Sequence, residues 1–315
     1  AISNEDMHPT QTLLAGAAIF LSAAFWGLFW IPLRHFHELG IHALWSTALF
    51  LGAPIPLALL ATWRYGRIRR ETLPSLLALG CGCGVSMVLY ATGLTISDVI
   101  RVIYLFYLMP IWTTLLSYLF LRQPISKVRW AAVALALTGM CLLLGVENGF
   151  PWPRNVGDWC GVAAGVAWAA CLVVLRAKAL TEHAAHSSAN AVAATAAMLC
   201  VGCVTALCLA IAIPEQRADA PTWDALSSAA GLALSIGCLV LWPTSVAMLW
   251  GAQYLFPGTA ALLTMSELIV ATLSAGLWLG TSLTPTATVG AFCILVAALA
   301  DLTAQRHHER FASAP

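Results

Sequence analysis

Long apolar stretches divided by short polar turns run the length of this chain. Ten of them are expected to be helices, roughly Leu13 to Arg34, Ala43 to Trp63, Thr72 to Leu94, Asp98 to Leu121, Lys127 to Val146, Val156 to Arg176, Ala189 to Ile213, Ala225 to Trp250, Pro257 to Gly280 and Pro285 to Thr303. A helix rises about 1.5 Å per residue, so about 20 apolar residues cross about 30 Å of hydrocarbon. Most of these runs reach that length. The pattern therefore predicts an all-α, polytopic membrane protein with ten transmembrane helices. Connections are short, the longest lying around Pro151 to Pro153 and Pro214 to Pro221, so function has to reside within the membrane.

Two stretches break the monotony. From Tyr90 to Ser126 (YATGLTISDVIRVIYLFYLMPIWTTLLSYLFLRQPIS) one span ends, a small polar turn follows, and the next span carries Pro110 near its middle. From Trp250 to Thr284 the layout returns with an acid, Glu267, at about the same depth. Dividing the chain near Phe150 gives two sets of five spans. Five is odd, so a duplicated unit enters the membrane in opposite orientations, the arrangement of many secondary transporters whose site lies near the midplane. Trp26 precedes Arg34 by the interval at which Trp168 precedes Arg176, at corresponding places in spans one and six. The expected organisation is a tail over 1–12, a first repeat over 13–150, a second over 151–303 and a tail over 304–315.

Composition agrees with membrane residence. Charged residues are 9% of the chain, hydrophobic residues 60%, and mean hydropathy is +0.84, against about 25% charged in soluble domains. The opening AISNEDMHPTQ lacks the basic start and small-residue cleavage site of a secretory signal, so the first span is expected to direct insertion. Basic residues set orientation, because cytoplasmic loops retain them. Of 15 Lys and Arg, only Arg34, Arg101, Arg154 and Arg217 fall on one side, which predicts cytoplasmic termini. A net charge of +1 gives no case for nucleic acid. Most of the ten cysteines lie inside apolar runs as small packing residues, and Cys81-Gly-Cys83 has no second Cys or His cluster at metal spacing. No metal or cofactor is expected.

The Trp-rich first span ending in a basic residue (FWGLFWIPLRHF), the Tyr90 to Ser126 block and TMSELIVATLSAGLWLGTSLTP together resemble the drug/metabolite transporter superfamily, in its EamA-type ten-helix exporters. The aromatic first half and Ser266-Glu267-Leu268 look most like the YddG-type amino acid exporters. The resemblance implies a bacterial inner-membrane protein that moves aromatic and other neutral amino acids out of the cytoplasm. Gln123 and Thr281 stand where many relatives carry Glu, and Leu268 follows Glu267 where many have Pro.

Several residues could carry chemistry. Glu267 is the acid deepest in a predicted span, and a carboxylate there should face the bundle interior or a wet cavity. It could bind a substrate ammonium group, take up and release a proton, or simply tie span nine to its neighbours. Pro110 kinks span four and frees a carbonyl, with Pro54, Pro56 and Pro243 acting likewise in spans two and eight. Trp26, Trp30, Tyr90, Tyr107, Trp112, Trp168 and Trp242, with Pro110, could line a pocket for apolar side chains. Trp63, Trp152, Trp159 and Trp223, near span ends, fit an interfacial belt better. Arg34 and Arg176 read as topology anchors, and Asp98 and Arg101 as a local pair. His35, His37, His183, His186, His307 and His308 lie at loops or the tail, in solvated or headgroup-facing roles.

The expected function is secondary transport of small metabolites by alternating access, with neutral and aromatic amino acids leading and organic cations or drugs as the alternative, held by aromatic faces and one acid. No GxxxxGK[ST] sequence is present to bind ATP. An intramembrane enzyme would want paired acids, a His/Asp cluster or metal ligands at depth. The expected partners are the lipid bilayer and a small-molecule substrate.

Overall fold

A computed structural model of the protein describes residues 9–65, 73–122, 125–145, 152–181, 188–279 and 284–312. The expectations placed on Arg67, Arg69, Arg70, Gln123, Thr281, His183 and His186, and on the junction at 150/151, lie outside these residues. Among the described residues ten helical segments are long and apolar enough to cross a membrane: Thr10–Glu38, Ala43–Tyr65, Leu76–Ile96, Val99–Leu121, Lys127–Leu144, Val156–Lys178, Ser188–Ala212, Trp223–Ala252, Pro257–Trp278 and Pro285–Arg306. They are numbered here as spans 1 to 10. No strand occurs among the described residues. The helix of span 10 continues to Ala312, so Thr303 marks no break in secondary structure.

Half of the spans are discontinuous. Span 2 divides between Gly52 and Ile55, where the ring of Pro54 interrupts the ladder, and span 8 widens into a π turn over Gly237–Leu241 just before Pro243. Span 4 breaks at Tyr107 and Leu108, ahead of Pro110, which opens the second half-helix at a position where a missing N–H costs nothing. Span 1 parts between Trp26 and Trp30, ahead of Pro32, whereas span 9 parts at Met265 with no proline beside the break.

Span packing follows a paired pattern. Span 3 lies on span 6 as span 8 lies on span 1; span 4 lies on span 6 as span 9 lies on span 1; span 5 packs on span 10 and span 2 on span 7. Small residues set the approach. A Cβ on Gly93 would meet the Gly157 carbonyl oxygen at 2.8 Å, and one on Gly251 would meet the Ala15 carbonyl oxygen at 2.8 Å. Close backbone contact of this kind drives helix association where lipid is as apolar as the side chains.

The register of the two halves agrees at several markers, although spans 1, 2 and 8 are interrupted where spans 6, 7 and 3 are continuous. Spans 4 and 9 each begin with an 8-residue half-helix, capped by Asp98 and Phe256 and ending at Tyr107 and Met265. Ser126 accepts from the Arg129 N–H at 3.2 Å, and Thr284 accepts from the Ala287 N–H at 3.2 Å, so spans 5 and 10 start alike. In sequence, Asp98 to Phe256, Tyr107 to Met265, Ser126 to Thr284 and Gly93 to Gly251 are equal separations. The separation from Ala15 to Gly157 equals those from Trp26 to Trp168 and from Arg34 to Arg176.

Candidate functional site: an aromatic cavity open at one end

The breaks surround one cavity of about 360 Å³. Its walls come from both halves. Trp26, Phe29 and Trp30 stand at the interruption of span 1, Tyr107 stands at the break of span 4, and Glu267 lies just past that of span 9. An interrupted helix can turn side chains inward that a continuous ladder would send elsewhere. Two aromatic groups face the space. On one wall Trp26 stacks on Phe29 at 5.0 Å and Phe29 meets Phe50 edge-on at 5.3 Å; on the other, Phe106 lies 4.5 Å from Tyr90 and 5.0 Å from Tyr107. Trp168 of span 6 and Met87, Met109 and Met248 add apolar surface, while Ser86, Thr47 and Thr264 add hydroxyls.

Among the described residues, Glu267 is the only acidic or basic side chain in the lining. Its carboxyl lies within electrostatic reach of the Tyr90 and Tyr107 hydroxyls. The Tyr107 hydroxyl is buried beside it and within hydrogen-bonding reach of that carboxyl, while the Trp26 indole N–H is buried without a partner among the described residues. Such an unpaired donor carries a desolvation penalty until something accepts from it. The backbone of Glu267 is held hard against span 1, where a Cβ on Gly27 would meet the Glu267 carbonyl oxygen at 2.5 Å. Higher on the same pair, Trp30 Nε1 donates to Ser274 Oγ at 2.9 Å. Spans 1 and 9 therefore form one unit, which fixes the acid relative to the Trp26 wall.

The cavity reaches one end of the bundle, where Leu33, Leu94 and Val99 line its mouth and Arg34, Thr95, Ile96 and Asp98 are exposed. At the opposite end it is sealed. There residues 251–256, between spans 8 and 9, are all buried. Arg176 donates through Nη1 to the carbonyls of Gln253 at 2.8 Å and Tyr254 at 3.0 Å. Arg129 Nε reaches Asp301 at 3.1 Å and its Nη2 reaches Thr259 at 3.0 Å, while the guanidinium carbon sits 3.5 Å from the centre of the Phe256 ring. Thr259 donates to the same carboxylate, and Gln305 accepts from the Phe256 N–H at 3.1 Å. The planar fork of Arg suits a bidentate carboxylate and a stacked ring at once.

A second buried acid organises the mouth end. Asp158, fully buried, accepts from Ser97 Oγ, from the Arg154 N–H at 2.8 Å and from Arg101 Nη1 at 3.3 Å. This corrects the expected Asp98–Arg101 pair. Asp98 caps the Arg101 N–H at 2.9 Å, whereas the guanidinium turns to Asp158, whose carboxylate offers a buried and stronger partner. Arg176 also departs from the role of a topology anchor, since its side chain is buried against backbone carbonyls.

Of the side chains expected to meet, Trp26, Trp30, Tyr90, Tyr107, Trp168 and Glu267 share the cavity. Pro110, Trp112 and Trp242 stand outside its lining: Pro110 is buried where the second half of span 4 begins, and both indole N–H groups are buried in packing. Phe29, Phe50 and Phe106 were missed, because each stands at or next to a break, and Pro32, Pro54 and Pro110 mark those breaks without fixing which way a side chain there turns. Trp63, Trp152, Trp159 and Trp223 are exposed near span ends, as an interfacial belt requires. No group of three or more His, Cys, Asp or Glu that could hold a metal occurs among the described residues.

Residues 13–145 match the model of the EamA-like transporter family. That EamA-like stretch takes in the first five spans, so the mouth-end turn and the Trp26 and Tyr107 walls lie within it, while Glu267 and the sealed turn lie beyond. A multi-pass membrane transporter fits the match. Comparison with curated proteins finds no match. Among solved structures, one described only as a crystal structure of a protein aligns with a TM-score of 0.67 at 17% identity, covering 92% of this chain and 97% of its own. At that identity the likeness speaks for the fold alone.

Proposed function

We propose that this chain is a secondary transporter that exports small amphipathic metabolites from the bacterial cytoplasm, foremost neutral and aromatic amino acids, by alternating access between two inverted five-span repeats. The observation that carries the proposal is a cavity of about 360 Å³ with aromatic walls and a single acid, open at one end and sealed at the other. Ligand sites of roughly 300 Å³ and above hold small molecules in such apolar, sparsely polar settings. The paired contacts and equal separations between the halves support the repeats. The distribution of Lys and Arg supports cytoplasmic termini, which makes the sealed end cytoplasmic.

In this scheme the Glu267 carboxylate accepts hydrogen bonds from the substrate ammonium, and Trp26, Tyr90 and Tyr107 present ring faces to the cation. The apolar side chain fills the space between the two aromatic groups. The unpartnered Trp26 N–H and the Tyr107 O–H, freed as Glu267 turns to the ammonium, are the donors for the substrate carboxylate. A second reading, export of organic cations, draws on one specific observation: among the described residues the lining contains an acid and no basic side chain to meet a carboxylate.

Purified protein in liposomes, offered labelled amino acids beside quaternary amines with and without a pH gradient, separates the two. Amino acid flux that Glu267→Gln reduces at least about tenfold is the expected result. Flux of quaternary amines alone would replace amino acids by organic cations as the substrate class. No solute-dependent flux by the wild-type protein would overturn transport.

A further inference from the structure

The two ends of the molecule hold matching parts in opposite conditions. Arg176 ends the membrane-buried stretch of span 6 and is buried, bonded to the carbonyls of Gln253 and Tyr254 where span 8 gives way to span 9. The equal separations between the halves assign each of these a counterpart. Arg34 of span 1 corresponds to Arg176, and Thr95 and Ile96, at the end of span 3, correspond to Gln253 and Tyr254. The contact of Gly93 with the Gly157 carbonyl and that of Gly251 with the Ala15 carbonyl reproduce the correspondence in space, since they use the same two separations and the same 2.8 Å approach.

Resting on the alternating-access reading above, we propose that Arg34 is the reciprocal closing residue, which seals the cavity mouth in the opposite-facing state by donating to the carbonyls of Thr95 and Ile96. The parts are suitably placed. Leu33, next to Arg34, and Leu94 and Val99, on either side of the turn, line the same mouth. Thr95 and Ile96 close the helix Leu73–Ile96, so their carbonyls form its negative end and attract a guanidinium. Asp98, exposed on the same turn, adds attraction. Among the described residues Arg34 pairs with Glu38 alone, at 3.4 Å within the same helix and in an exposed position. An exposed pair of this kind is weak and readily exchanged for a better partner. Arg34 is thus a positioning residue that acts on the gate, with no contact to substrate.

Hydrogen–deuterium exchange of the detergent-purified protein tests the reciprocity. Arg176→Ala should speed exchange over residues 252–256 and slow it over 95–99 about tenfold, as the released bundle populates the state that Arg34 closes. Adding Arg34→Ala to that variant should abolish the slowing. Equal slowing in the double variant, or faster exchange at 252–256 with no change at 95–99, would overturn the proposal. Should Arg176→Ala fail to fold, Arg34→Ala, at an exposed site, decides by itself. Its turnover in liposomes should fall at least about tenfold with substrate affinity retained, and Arg34→Lys should recover part. Unchanged turnover would overturn the proposal. Exchange is read without substrate, so a wild-type protein that moves no solute counts against transport alone and leaves the latch to be judged on exchange.

Discussion

At one end of the bundle an arginine, a turn and a ring are packed out of solvent; at the other, the corresponding arginine and turn lie open around a cavity. Both ends also contain a buried carboxylate, yet the two are differently committed. Asp301 holds Arg129 in a site where every partner is buried, whereas Asp158 is served largely by a backbone N–H and Ser97, with Arg101 partly in the open. The difference teaches that the asymmetry between halves is one of conformation more than of parts. Similar pieces are present twice, and one set is engaged.

The largest effect is expected at the sealed end. Asp301→Ala leaves a guanidinium buried without its anion and should cost about 3–5 kcal/mol, read as a lower unfolding temperature in detergent. Asp158→Ala should cost less, about 1–3 kcal/mol, because Arg101 can turn to water. An equal loss would break the contrast between the ends. Gly93→Ala and Gly251→Ala each push a Cβ against a backbone carbonyl and should each cost about 1–3 kcal/mol. If only one is costly, the matching of the halves fails at that contact. Trp30→Phe removes the bond to Ser274 that ties spans 1 and 9, at about 1 kcal/mol, with a larger effect on transport than on unfolding. Smallest is Trp223→Ala, on an exposed side chain, expected within about 0.5 kcal/mol.

Much of this was legible beforehand. Apolar run length gave ten helices, and an odd number of spans per half gave inversion. Six of the expected aromatic and acidic residues converge on one cavity because depth along a helix can be counted from its ends. Direction around the helix could not be counted. Trp112 and Trp242 sit at suitable depths and face packing, since the breaks at Tyr107 and over Gly237–Leu241 reset the helical phase. The break at Met265 has no proline or glycine to announce it, and the prolines after the breaks at Phe29 and Phe106 do not say which way those rings turn.

The sequence by itself determined residence in the membrane, the number of spans, the separations that match one half to the other, and the rarity of a deep acid. These follow from transfer free energies and counting, which need no partner. Only the tertiary structure decided which arginine is buried, which carboxylate Arg101 chooses, and which end of the cavity is closed. Those outcomes depend on contacts between segments far apart in the chain, and on the conformation they hold.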